Sequence, residues 1–430
     1  MQRLQARINP QMPVELCRRA GYPGASLRFS RNVAMPPPAP ALPFSPESRV
    51  SLYYFVLFMS TGLATVFGGI WFAQKGLTTD QIGTLSTVPI LFMMLINLGV
   101  GRIADRAEDW RRAILIGSVV SGIFSVGLFF ADGYWGILLF WSLTSISVSS
   151  IVSVSDAAAL RLAQRRGSDF GVLHAWGAVG YLMVIFVSGY ALVWFGSALF
   201  VPAFVALSIL RGLAALCLPR LRAPAEAALV PVGATRLMQV MKPWFLLPLI
   251  GWSMVFATHL ILNAYQGLLF SRQGISIDVV GLLIAMGALS EAVMFFLFNR
   301  FFADIPPLRL ILISAAVSAA RWLVMGFEPG IPLLFALQSL HAVTFAIGFL
   351  GCMRFIAAHT AEDIAAEAQS LFVTLQQGMS ILAISGFGWL AGRWGAQAYF
   401  ASALFSLAGG GLAALVILRR PTGPQPAIRL

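Results

Sequence analysis

From residue 50 onward the chain is a succession of apolar runs, each long enough to cross a bilayer and each ended by a short polar turn. About 20 apolar residues in a helix match the thickness of a hydrocarbon core. Such runs lie at 50–73, 80–101, 113–131, 135–158, 170–196 and 198–218, and again at 243–268, 279–300, 308–327, 331–353, 367–392 and 396–418. A soluble fold could not hide this much apolar surface, with 58% of residues hydrophobic and only 11% charged. The alternating period of a membrane barrel is absent, so helices must satisfy the backbone. The expectation is an all-α membrane protein of 12 transmembrane helices in two six-helix bundles, 49–218 and 243–418, joined by a central cytoplasmic loop at 219–242.

An internal repeat supports the two bundles. Phe72, Gly76, Asp80, Gly83 and Leu85 recur in register as Phe270, Gly274, Asp278, Gly281 and Leu283, each set joining one apolar run to the next. Each copy offers a glycine to end a helix and an Asp placed to cap the next one. Duplicated halves in a membrane protein point to a transporter with a site where the halves meet. Residues 1–48 are polar and then proline-rich from Met35, with no apolar signal-peptide core. They read as a disordered cytoplasmic tail, with a translation start at Met35 as the alternative. Residues 419–430 form a second cytoplasmic tail.

The net charge of +12 does not mark a nucleic-acid binder. The basic residues sit in short loops on one side, from Arg49, Arg102 and Arg106 through Arg161, Arg300 and Arg354 to Arg419, against Lys75, Arg272 and Arg393 on the other. That bias places both termini inside an inner (plasma) membrane. Cys17, Cys217 and Cys352 are too scattered for a disulfide framework or a metal site, and there is no phosphate-binding glycine loop. No cofactor or metal is expected, nor an enzyme; a monomer in the lipid bilayer is.

The loop after the second run reads Gly101-Arg-Ile-Ala-Asp105-Arg106-Ala-Glu-Asp-Trp-Arg111-Arg112. It resembles the signature loop of the major facilitator superfamily, with two extra residues before the basic pair. Gly101 would let helices approach, Asp105 suits a helix N-terminus, and Arg106 suits a nearby acid. Asp169-Phe-Gly171-Val-Leu-His174-Ala-Trp176-Gly177-Ala-Val-Gly180 is similar to a motif of the 3-phenylpropionate transporter branch of that superfamily, with His174 where the branch carries Arg. Ser155-Asp156-Ala157, Glu291 with Asn299-Arg300, Arg321-Trp322, and Gln338 with His341 through Arg354 carry the same resemblance, which spans 50–418. It implies proton-coupled uptake of a small organic solute by alternating access, with aromatic monocarboxylates as the substrate class. Proton symport of sugars or nucleosides, and proton-driven efflux, are the alternatives. The fifth run lacks the Gly-Pro signature of drug antiporters, which favours uptake.

Ionisable residues inside the runs point to function without the resemblance, because a charge at mid-bilayer is costly unless paired or wetted. Glu291, Arg321 and His341 are the candidates for proton coupling, and a facilitator fold would make their helices neighbours. The set resembles that of lactose permease, with Thr344 where the permease has a second carboxylate. A static buried salt bridge is the other reading. His259, Asn263 and Gln266 share one helical face, as do Gln338, His341 and Phe345, and are candidates for substrate contact. Trp176 is either packing or a stacking platform. Asp156 reads as a partner for the arginines of the loop after the second run, or as a second proton or substrate site; Gly101, Asp105, Arg106, Arg112 and Asp156 together form the expected gate.

Overall fold

The computed structural model describes residues 44–222, 238 and 241–419, whose regular structure is all helical. The two expected tails, save their innermost residues, and most of the 219–242 loop lie outside the described residues. Before the loop come α1 (Pro46–Gln74), α2 (Thr79–Arg106), α3 (Trp110–Val126), α4 (Gly133–Arg166), α5 (Phe170–Phe195) and α6 (Phe200–Leu216). After it come α7 (Pro243–Arg272), α8 (Ile277–Phe302), α9 (Pro307–Met325), α10 (Ile331–His359), α11 (Ala365–Trp394) and α12 (Tyr399–Leu418). Among the described residues, 10 stretches are long and apolar enough to cross a membrane; the last, Glu362–Leu418, contains both α11 and α12, and α6 is shorter. Leu95, Phe130 and Trp135 are more than 70% exposed on the perimeter, which suits lipid rather than water.

The two copies of the repeat fold alike. Leu77 N donates to Phe72 O (3.2 Å) and Ile275 N to Phe270 O (3.0 Å), closing equivalent helix ends. Gly76 and Gly274 sit at φ +81° and +78°, a left-handed conformation that glycine adopts without a Cβ penalty. The expected caps fall elsewhere, because Asp80 and Asp278 lie within the first turns of α2 and α8. Thr78 caps α2: its hydroxyl accepts from Gln81 N (3.3 Å) while Gln81 Oε1 accepts from Thr78 N (3.0 Å). Ser276 holds the matching position before α8. At α2 the hydroxyl two places after the glycine meets the emerging N–H groups before the Asp does, whereas Ser276 makes no such side-chain bond.

α10 carries a π-helical turn at Ala342–Ile347. Such turns rotate the following side chains and free carbonyls from the helical ladder. Here the Thr344 carbonyl accepts from Ser314 Oγ of α9 at 2.6 Å.

The apolar core is divided unevenly. At the arginine-rich end one core joins both sets of helices, with Tyr54, Trp110 and Phe170 in the same cluster as Trp252, Phe295 and Phe372. At the opposite end, Phe72 and Leu85 belong to a core of α1–α6, and Phe270 and Leu283 to a separate core of α7–α12. Among the described residues, the two sets therefore share a buried core at the arginine-rich end and keep separate cores at the other.

Candidate functional site

A continuous hydrogen-bonded network links α7, α8, α9 and α10 inside the second set of helices. Arg321 of α9 is its centre and is fully buried. Its Nη2 donates to Gln338 Oε1 (2.6 Å), and its Nη1 to Thr344 Oγ1 (3.3 Å) and His341 Nδ1 (3.4 Å). His341 Nε2 meets Glu291 Oε2 at 3.1 Å, Gln338 Nε2 donates to Gln266 Oε1 (3.1 Å), and His259 Nε2 lies 2.8 Å from Thr344 Oγ1. The guanidinium also stands 4.8 Å over the Trp322 ring.

Because a guanidinium only donates, it sets the direction of the other bonds. His341 Nδ1 must accept, so Nε2 carries the proton and donates to Glu291. Thr344 Oγ1 accepts from Arg321 and donates to His259 Nε2, while His259 Nδ1 donates to Val255 O at 2.9 Å. A neutral His341 thus bridges Glu291 and Arg321. No carboxylate lies within ion-pair distance of Arg321 among the described residues, and its Nε has no partner. A buried guanidinium held this way is costly unless an anion is near. The Glu291 and His341 side chains keep 20% and 17% exposure, whereas Arg321, Thr344, His259 and Gln338 are buried, so the first pair forms the open face. On α10, His341, Phe345 and Phe349 stack in a ladder at 5.3 and 6.2 Å with interplanar angles of 6° and 11°.

A second constellation closes the arginine-rich end. Asp105, 5% exposed, accepts from Ala366 N (3.0 Å) and Trp110 Nε1 (3.2 Å) on Oδ1 and from Glu367 N (2.7 Å) on Oδ2, capping α11 from α2. Gly101 permits this approach, since a Cβ there would lie 2.4 Å from Ser370 Oγ. Arg102 pairs with Glu367 (2.6 Å) and Arg165 with Glu362 (2.6 Å), both across the two sets of helices.

Several expected placements need correction. Arg106 is exposed and has no ion pair among the described residues; the neighbouring Arg102 takes the acid, one helical turn nearer the interface. Arg112 pairs with Glu108 within its own exposed segment at 2.8 Å, so it does not bridge the helices. Asp156 does not meet the loop arginines: Tyr54 Oη donates to it at 2.7 Å and His174 Nε2 lies 3.8 Å away, because it faces α1 and α5. Trp176 is 43% exposed and edge-on to Phe296 (6.1 Å), away from the network. The Asn263 side chain lies outside the described residues. Gln266, Gln338, His259 and Phe345 all belong to the network or its aromatic wall.

Residues given no site role by the sequence complete both constellations. Thr344 is the branch point of the network; in the sequence it stands out only as the residue at the place of the permease's second carboxylate, about one turn beyond His341. Arginines at the closed end cap the C-termini of neighbouring helices: Arg222 bonds Asp105 O and Ala107 O while stacking 5.5 Å over Trp110, Arg354 of α10 bonds Phe302 O (3.1 Å) and Ala303 O (2.6 Å), and Arg161 of α4 reaches Ala357 O (3.2 Å) and Thr360. Cations at these ends offset the helix dipole and fill carbonyls that no backbone N–H reaches.

Two sets of apolar helices, with a polar network buried inside one of them, have the architecture of a multi-pass membrane protein. The fold matches that of the Escherichia coli fucose:proton symporter, with a TM-score of 0.71 at 12% identity over 86% of this chain and 98% of that one. The human organic anion transporter MFSD10 gives a TM-score of 0.68 at 14% identity over 86% of this chain and 100% of that one. The sequence profile of the MFS_1 like family matches residues 48–401, and the chain belongs to that family. It is 27% identical over 374 residues to the "Probable 3-phenylpropionic acid transporter" of Escherichia coli (strain K12), covering 83% of this chain and 94% of that protein. It is 25% identical over 346 residues to the maltose permease of Geobacillus stearothermophilus, covering 80% and 87%. Family and fold are those of multi-pass membrane transporters, which are not enzymes.

Proposed function

We propose that the chain takes up a small organic carboxylate together with a proton, by alternating access, with Glu291 as the proton carrier. The observation that carries this is the position of Arg321, which among the described residues is buried without a carboxylate of its own and is tied to Glu291 through neutral His341. With Glu291 ionised, the two charges balance across the imidazole. Protonating Glu291 leaves the guanidinium as an uncompensated buried cation, which a substrate carboxylate then neutralises. Proton and anion therefore bind best together. The His341–Phe345–Phe349 ladder offers a flat aromatic wall beside that cation, which suits an arylalkanoate. The transporter of E. coli named for 3-phenylpropionic acid is consistent with this class. In this reading the 12 helices cross an inner membrane with both termini cytoplasmic, and the arginine-rich end, closed here, faces the cytoplasm. Each bundle is one rocking unit and the protein works as a monomer.

A second reading, proton symport of a neutral sugar, is favoured by the amide and imidazole groups of Gln266, Gln338 and His259 and by the maltose permease relative. Proteoliposomes separate the two. A carboxylate moving with one proton carries no net charge, so inward acid should drive 3-phenylpropionate accumulation that is indifferent to a potassium–valinomycin potential. Accumulation of maltose, driven by an inside-negative potential, would support the second reading. Acid-driven extrusion from right-side-out vesicles would overturn both in favour of efflux.

A further inference from the structure

We propose that His174 is the proton-responsive element of the gate at the arginine-rich end: a proton on it draws the imidazole out of an aromatic plug toward Asp156 and frees that end to open. This presupposes the alternating-access transport proposed for the chain.

His174, 8% exposed, stands between the two sets of helices. Its ring lies 5.1 Å from Tyr54 and 5.3 Å from Phe58 on α1, 5.7 Å from Phe170 on α5, and 5.1 Å from both Phe295 on α8 and Phe349 on α10. Phe349 continues the ladder of the central network. Phe170, on the other side, lines a cavity of about 430 Å³ at the arginine-rich end, walled also by Gln164, Asn299, Met353 and Arg354. The five rings and His174 therefore separate the transport network from that cavity.

The imidazole is poorly served in this arrangement. Its Nδ1 is buried with no hydrogen-bond partner, and its Nε2 is 3.8 Å from Asp156 Oδ1, beyond hydrogen-bond range. A buried polar group left unpaired is costly, and the closed plug carries that cost as long as His174 stays neutral. Asp156 receives a hydrogen bond from Tyr54 (2.7 Å) and has no Arg or Lys within ion-pair distance among the described residues. The other charged groups on the packed helices are engaged elsewhere. Glu291, one turn before Phe295, is held by His341; Arg354, beyond Phe349, bonds the end of α8; Asp169 caps α5 through Gly171 N at 2.7 Å. The five rings are tilted or edge-on to the imidazole and offer no single partner for a charge. Only Asp156 gives a direction, and it belongs to α4, within the first set. Closing the gap to a charge-assisted hydrogen bond takes the ring roughly 1 Å toward Asp156, a residue of the first set of helices.

The test uses the full chain in nanodiscs, with Cys17, Cys217 and Cys352 replaced by Ser and spin labels on Gln164→Cys and Asn299→Cys, which wall the cavity from opposite sets of helices. The pH is taken from about 8 to about 4, through and past the range in which an unperturbed imidazole changes charge. One proton moves the open-to-closed ratio at most about tenfold per pH unit. The label separation should lengthen on acidification, His174→Phe should lose more than half of that shift, and His174→Arg should already show the longer separation at the alkaline limit. His174→Gln, polar and untitratable, repeats the test should the Phe variant not fold. A His174→Phe or His174→Gln variant that keeps more than half of the shift, or a parent chain that shows none, overturns the switch. If 3-phenylpropionate moves the labels while pH does not, alternating access stands and the switch falls; labels fixed under every condition in every variant remove both.

Discussion

Four side chains decide what the central network can do. Glu291→Gln keeps the shape of the acid and removes its proton, so uphill accumulation should vanish while exchange of labelled for unlabelled substrate continues; loss of both would assign Glu291 a structural role. Arg321 makes three forked bonds that a lysine cannot copy. Arg321→Lys should therefore weaken substrate-induced thermal stabilisation, and Arg321→Ala should remove it; equal defects would mean that geometry, not charge, matters. Thr344 has the least obvious role, because its hydroxyl accepts from Arg321 and donates to His259. Thr344→Val leaves both without that partner and should cost about 1–3 kcal/mol, read as a lower melting temperature, while Thr344→Ser should not. The identities of Glu291, Arg321 and His341 as ionisable residues inside apolar runs were legible in the sequence. Their order in space was not, since the imidazole stands between the acid and the guanidinium only after three helices pack.

At the scale of the helix, the seam between α2 and α11 ties the two sets of helices together, and in the proposed transport cycle it must part for that end to open. Asp105 uses both oxygens on backbone N–H groups of α11, and its charge faces the positive end of that helix. Asp105→Asn replaces one acceptor by an amide donor, so one N–H loses its partner. Turnover should fall several-fold with substrate affinity little changed, as measured by transport rate and equilibrium binding on one preparation. Gly101→Ala is predicted to act at the same seam by sterics, since the new methyl lies 2.4 Å from Ser370 Oγ; unchanged rates in both variants would deny the seam a gating role. The glycine and the Asp-Arg pair announce such a loop in the sequence. That Arg102 rather than Arg106 takes Glu367 depends on the rotation of α2 against a helix more than 250 residues away, which no local pattern encodes.

For the molecule as a whole, the shared core at one end and the divided cores at the other fit one extreme of the rocking motion proposed above. Joining Arg165→Cys to Glu362→Cys with a cleavable bis-thiol reagent should hold that extreme, cutting transport at least about tenfold, and cleavage should restore it. Transport that survives the bridge would exclude large movement between these helices.

Composition and the spacing of apolar runs were enough to determine a helical membrane protein, and the repeated Gly76 and Gly274 turns to reveal its duplication, because lipid leaves the backbone few choices and a left-handed turn accepts few residues. The tertiary structure alone decided which charges meet. Asp156 turned from the loop arginines to Tyr54 and His174, and Thr344 became a junction, because a side chain buried in a helical bundle takes its partners from whatever neighbouring helices present, at separations in sequence that carry no local signal.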